Sequence, residues 1–428
     1  MEYNTNILSD VFVQATSSSS IVFDGKNFFV KHHSIRKGAS VTALQKGNLF
    51  HSAANDTDAD SIKRNISALG ISKFSFGSYK SQQVVNSPHC NKSLIEIASR
   101  IKDILCFGIE PSCRLFVDFV SDYYVETYNN EESRISNLNY INVIFKYRIS
   151  LKSTYNSIRY CIPSFDIDKV DKLTMEQARR VCFLRSSPQT ASRPNIEGYP
   201  VVIGPGSGAT IFHESIGHPL EYNLSMGVSE STKMSMGKII GPNTLSINDC
   251  DIEKGFCVHE EKVPIAKISQ RTLVKNGRLK SYLTDRYSSA KFNLPYTASG
   301  RRSSYLHPSS PRMGSTFVAT GEFSKSEIIG TVEFGVYIGD VSNGEYNPIS
   351  GDYSAIGYNS YLIEKGVVTK RICNLRISGK LFDITSNIGM IGNDLKWKFG
   401  MCHGISGTIL TSVGQPTIKY DSLKVEYV

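Results

Sequence analysis

Residues 201–223, VVIGPGSGATIFHESIGHPLEYN, read as a strand, a glycine-rich turn and a helix. Val201, Val202 and Ile203 are β-branched and apolar, as in a buried strand. Ser207 or Thr210 can cap the helix that follows, whereas Gly217 and Pro219 cannot easily continue it. His213 and His218 stand five residues apart in this segment. In the two-histidine zinc arrangement H-E-x-x-H they stand four apart and share one helix face. At about 100° per residue, a five-residue gap puts the rings roughly 140° apart around a regular helix, against roughly 40° for the shorter gap. Two local devices restore the alignment: a helix end at Gly217 with that glycine in the left-handed region, or a one-residue bulge inside the helix.

A catalytic zinc site normally has three protein ligands and an open position. Beyond the two histidines, Glu221, Cys257, the His259/Glu260/Glu261 cluster, Cys402 and His403 are all chemically able to supply the third. Cys402, in FGMCHGISG, sits between glycines in a segment able to approach closely. Glu214 adjoins His213 and is placed to serve as a base. GPGSGAT (204–210) lacks the Gly-Lys-Ser/Thr of a phosphate loop and reads as a tight strand-to-helix turn. Arg301 and Arg302, beside the hydroxyls of GRRSSY, suit either a peptide carboxylate or a surface salt bridge.

The chain has 428 residues, 40% of them hydrophobic and 20% charged, the profile of a soluble globular protein of two domains. No apolar run approaches a membrane span, so no membrane partner is expected. The net charge of +9 is spread along the chain rather than gathered into a stripe, so no nucleic-acid partner is expected either. The nine cysteines are scattered, with no C-x-x-C pair, and the first residues lack a signal-peptide pattern. A cytoplasmic, reducing location is the expectation.

Before residue 185 the pattern mixes strands and helices. SIVFDGKNFFVKHH places two alternating runs around Asp24-Gly25, a hairpin signal. SLIEIASRIKDIL opens with Ser93 and Glu96, and TMEQARRVCFL with Thr174 and Gln177, both capping-box patterns. LFVDFVSDYYVETY and YINVIFKYRIS form a strand pair around a polar connection. Three prolines in the polar stretch 185–200 mark a domain boundary. Strand-like runs dominate after residue 223. The expected fold is α+β: a sheet-and-helix domain over residues 1–190, then a mainly antiparallel β domain over 191–428 that carries the metal helix.

From Val201 onward the chain resembles the TldD/PmbA family of metallopeptidases, in its metal-binding TldD type. The resemblance rests on HESIGHPLE, LTDRYSSAKFNLPYTASGRRSSY, PRMGSTFVATGE, EIIGTVEFGVYIGDV and VGQPTIKY, in that order. It implies that His213, His218 and Cys402 bind zinc and that Glu214 is the catalytic base acting on zinc-bound water. His403 stands where the family usually has glycine. Two neutral imidazoles and one thiolate favour zinc over magnesium or calcium. The implied activity is hydrolysis of peptide bonds in unstructured peptides or unfolded segments. The implied assembly is a dimer, either of this chain or with a metal-free TldE-like homologue. The alternative is a non-catalytic peptide-binding or scaffold subunit of such a complex.

Overall fold

The structure, a computed structural model, describes residues 8–69, 92–107, 113–128, 134–148, 156–162, 165–186, 193–223, 235–250, 270–380 and 382–428. The chain divides into two compact units. The first comprises residues 1–185, 302–309 and 403–409, and the second comprises 186–301, 310–402 and 410–428.

The first unit is built on strands β1 (Leu8–Phe23), β2 (Phe28–Gln45), β3 (Asn48–Ala54), β4 (Cys113–Tyr128), β5 (Arg134–Tyr147) and β6 (Asn156–Ile162). They form one antiparallel sheet in the order β3-β2-β1-β4-β5-β6. The β1–β2 hairpin turns at Asp24-Gly25. The Asp24 carboxylate accepts the N–H groups of Lys26 and Asn27 at 2.9 Å each, and Gly25 takes φ 102°.

Helices α1 (Ala59–Ala68), α2 (Lys92–Cys106) and α3 (Ile167–Ser186) complete the unit. On α2, Leu94, Ile97, Ala98, Ile101 and Leu105 recur at helical spacing and join a core with Leu115, Val117, Ile141, Val143 and Phe145 of the sheet. Both capping-box starts differ from expectation: α2 already includes Ser93, and α3 begins well before Thr174. Asp166 explains the second case, since its carboxylate accepts the Lys169 N–H at 3.0 Å and starts the helix there. Thr174 is buried instead and receives a hydrogen bond from the Tyr160 hydroxyl at 3.2 Å.

Arg302 also belongs to this unit and is fully buried. Its Nη2 lies 3.0 Å from Asp10 Oδ1 and 2.8 Å from Glu126 Oε1, and its guanidinium sits 4.5 Å from the Phe12 ring centroid. A buried guanidinium needs matched anions, and two carboxylates supply them. Arg302 is therefore neither a surface ion pair nor open to a peptide carboxylate.

The second unit opens with β7 (Val201–Ile203) and a helical segment, α4, over residues 207–220. There follow β8 (Ile247–Cys250), β9 (Gln270–Lys275), β10 (Arg278–Leu279), α5 (Arg286–Phe292), β11 (Gly300–Arg301), β12 (Ser310–Pro311), β13 (Ser315–Val318), α6 (Lys325–Gly330), β14 (Phe334–Tyr346), β15 (Asp352–Glu364), β16 (Val367–Arg371) and β17 (Leu375–Lys380). The chain closes with α7 (Asp383–Ser386), β18 (Ile388–Ile391), β19 (Lys396–Gly404), β20 (Gly407–Gln415), β21 (Ile418–Tyr420) and β22 (Val425–Tyr427).

One sheet runs β10-β9-β8-β13-β20-β19, and another runs β18-β21-β7-β14-β15-β17-β22 with β16 beside β15. β13 and β20 pair in parallel, as do β7 and β14, whereas β8–β9, β9–β10, β8–β13, β14–β15, β15–β16, β15–β17, β17–β22, β18–β21 and β7–β21 pair antiparallel. The fold is thus α+β with mostly antiparallel sheets. One hydrophobic core takes residues from both sheets, including Ile247, Leu273, Val336 and Ile338, together with Ile211, Phe212, Ile216 and Leu220 of α4. Among the described residues, no helix is long and apolar enough to cross a membrane.

Candidate metal centre

The site begins where β7 ends. Gly204 donates its N–H to Ile338 O and Gly206 donates to Gln415 O, each at 2.8 Å. Gly206 adopts φ 94°, a turn that only glycine takes without strain. The Ser207 hydroxyl accepts the Val341 N–H at 3.0 Å, so it ties the turn to β14 rather than capping the helix. Neither helical start here carries a side-chain cap. Residues 204–206 make a tight turn, and 207–210 already belong to the helical segment.

The histidine spacing is resolved by a bulge. Thr210–Phe212 form an α turn, His213–Gly217 a π turn, and His218–Leu220 a further α turn. The His218 N–H donates to His213 O, an i→i+5 bond that stacks the fifth residue over the first. Gly217 stays right-handed at φ −64° and ψ −59°, so the other device, a left-handed helix end, is not used. Pro219 has no N–H to give, and in a regular helix its ring presses on the carbonyl four residues back. The wider turn falls where that conflict lies.

Gly217 is needed for space rather than for an unusual φ. A Cβ there would run into the sulfur of buried Met313. Gly217→Ala is therefore expected to overpack the core and cost about 1–3 kcal/mol, measurable as a lowered urea midpoint. Removing the Met313 sulfur in Gly217→Ala/Met313→Val should recover part of that loss. An alanine variant as stable as the parent would show that the site yields freely.

His213 and His218 on α4 meet Cys402 on β19. His213 Nε2 lies 3.2 Å from Cys402 Sγ, and His218 Nε2 lies 3.4 Å from it. The two rings stand edge to face with centroids 4.8 Å apart. All three ligand atoms fall within 4.8 Å of one another. Zinc bonds of 2.0–2.1 Å to nitrogen and 2.3 Å to sulfur, at tetrahedral angles, imply nitrogen–sulfur separations of about 3.5 Å. The trio fits that spacing and offers the nitrogen and sulfur donors zinc prefers.

Electrostatics favour a thiolate among imidazoles. Burial pushes the Cys402 thiol up, but His218 and His213 overcome it and hold its pKa well below the ordinary thiol value. Burial disfavours charge on His218, yet Glu221 and the Cys402 sulfur outweigh it and hold that pKa well above the ordinary imidazole value. A lowered thiol pKa favours the anionic sulfur, the form a metal takes. Glu214 is buried beside it, its Oε2 3.8 Å from His218 Nε2. Burial raises its pKa, against the pull of His213 and His218. On its other side lies Gly344 of β14, where a Cβ would sit 2.6 Å from Glu214 Oε1.

The other sequence candidates fall elsewhere. Glu221 stands behind His218, with Oε2 3.0 Å from His218 Nδ1, and so orients that ring with Nε2 turned to the trio. His403 is exposed, and its Nδ1 lies 2.8 Å from Thr408 Oγ1. Cys257, His259, Glu260 and Glu261 lie outside the described residues. Arg301 is buried and bonds the carbonyls of Met313 and Leu410, so it is a structural cation rather than a carboxylate receptor. Sequence reasoning passed over Arg312, whose Nη2 lies 3.0 Å from Cys402 Sγ. Its only local signal is an arginine in a run of small and apolar residues.

A model of the PmbA/TldA metallopeptidase C-terminal domain matches residues 196–427. The chain is similar to a metalloprotease TldD homolog of Buchnera aphidicola subsp. Schizaphis graminum, 31% identical over 267 residues, which cover 61% of this chain and 54% of that one. It is similar also to a zinc metalloprotease TldD homolog of Saccharolobus solfataricus, 29% identical over 62% of this chain and 58% of that one. The match spans little more than half the length of these relatives. Among solved structures, TldE from Thermococcus kodakarensis shares the fold with a TM-score of 0.67 at 14% identity, covering 98% of this chain and 96% of that one.

Proposed function

This chain belongs to the PmbA/TldD family of metallopeptidases, and on that premise we propose that it is a zinc-dependent peptidase acting on unstructured peptides and unfolded segments. The observation that carries the reading is the convergence of His213, His218 and Cys402 with Glu214 beside them in a buried cluster. His213, His218 and Cys402 would hold the metal. When bound, zinc supplies a Lewis acid that polarises a peptide carbonyl and acidifies water. Glu214 takes the water's proton and passes it to the leaving amine. Gly344 leaves room for the carboxylate and bounds its position.

Substrate class follows from the strands. β19, which carries Cys402, ends its sheet in the observed strand order. An extended peptide laid along such an edge is held through main-chain hydrogen bonds, with little demand on its side chains. A folded domain must first open locally to present its backbone in that way. One substrate protein, offered in a stable form and as a destabilised unfolded variant, should be degraded only in the second form when followed by mass spectrometry. Equal rates on both would sink this substrate class.

The assembly belongs to the same proposal: a dimer, either of this chain or with a metal-free TldE-like homologue, supported by the shared fold with TldE. A cytoplasmic location is likewise proposed. Among the described residues, Cys161 and Cys182 are free thiols, as a reducing compartment allows.

A further inference from the structure

We propose that Arg312 is a positioning residue of the metal site, one guanidinium that braces Cys402 directly and His218 through Glu221. The proposal rests on the reading that His213, His218 and Cys402 hold zinc. Arg312 is buried at 1% exposure. Its Nη2 lies 3.0 Å from Cys402 Sγ and 2.9 Å from Cys402 O, so it fixes both the sulfur and the backbone that carries it. Its Nε lies 3.6 Å from Glu221 Oε1. That carboxylate accepts the Met313 N–H through Oε1 at 3.2 Å and faces His218 Nδ1 through Oε2 at 3.0 Å.

The contacts form a chain: sulfur, guanidinium, carboxylate, imidazole. Each member fixes the next. Glu221 holds the His218 proton on Nδ1 and leaves Nε2 free to ligate, the outer partnership that metal-bound histidines require. The Arg312 N–H groups withdraw electron density from the sulfur, so a bound metal receives less charge and stays a stronger Lewis acid. A guanidinium can do both at once because its charge is spread over a rigid planar fork: Nη2 donates to the sulfur while Nε faces the Glu221 carboxylate as an ion pair, whereas an ammonium is a single point. Placing a cation this close to a metal cation is unfavourable by itself. The carboxylate on one side and the ligand sulfur on the other offset that cost.

The test uses the full chain, stripped of metal by chelation and then titrated with cobalt(II) and, separately, with zinc against a chromophoric chelator. The parent should show a sulfur-to-cobalt charge-transfer band. Arg312→Lys and Arg312→Met are each expected to lower zinc affinity about 10- to 100-fold, the usual effect of losing an outer partner. Both should move the band to lower energy, because a thiolate relieved of a hydrogen bond gives up its electron more easily. A role confined to packing would lower the melting temperature of the metal-free chain without moving the band. Should Arg312→Met not fold, Arg312→Lys and Glu221→Gln carry the same two readouts. Parental affinity with an unmoved band in the folded variants overturns the Arg312 proposal alone. A parent chain without the band removes Cys402 as a ligand and overturns the Arg312 proposal with it.

Discussion

Glu214→Gln is expected to retain about one zinc per chain while losing roughly 100- to 10,000-fold in peptide cleavage, the range that a positioned base contributes. Glutamine keeps the shape of the side chain in its confined space between α4 and Gly344, where a Cβ would sit 2.6 Å from Oε1. It cannot take a proton at neutral pH. Zinc content by metal analysis and cleavage of a disordered peptide on the same preparation separate binding from chemistry. Undiminished cleavage would show that Glu214 is not the base. Zinc-loaded parent protein with no cleavage of any unstructured peptide would favour a non-catalytic, peptide-binding subunit instead.

Cys402→Ser should lower zinc affinity by more than about 100-fold, exceeding the loss expected from an outer partner because it removes a direct ligand. The serine hydroxyl remains protonated near neutral pH, so the set loses its single anion and is left with two imidazoles. The sulfur stands 3.2 Å from His213 Nε2 and 3.4 Å from His218 Nε2, which makes it the apex of the trio. Chelator competition measures the affinity, and the melting temperature of the metal-free chain reports the fold separately. Unchanged zinc affinity would place the third ligand elsewhere, with Glu221 and the 259–261 cluster the next positions to substitute.

Local structure was largely legible in the sequence. The β1–β2 hairpin follows from two alternating runs around Asp24-Gly25, and the turn is closed by Asp24's own carboxylate within three residues. The strand, turn and helix of 201–220 follow from apolar β-branched residues, then glycines, then an apolar helical face. Each of these depends on contacts only a few residues long. The α3 start was misplaced because Thr174 carries a good cap pattern, while Asp166, earlier in the chain, supplies the working cap.

The sequence left open how a five-residue histidine spacing is reconciled, because both a bulge and a left-handed Gly217 satisfy local geometry. The tertiary structure uses the bulge: Ile216 and Leu220 are buried in the core only if the helix runs on, and Gly217 is pressed against Met313. The nearness of Cys402 to His218, 184 residues earlier, depends on strand order and packing that no local pattern encodes. The same holds for the arginines. Residues 300–305 read as two cations beside hydroxyls, yet Arg302 finds Asp10 at a separation of 292 residues, and Arg312 finds Cys402 at 90. Sequence by itself determined which residues could turn, cap, pair or ligate, since those propensities are properties of a residue and its near neighbours. Only the tertiary structure decided which of them meet, because burial in a shared core and strand register bring together groups that the chain holds far apart.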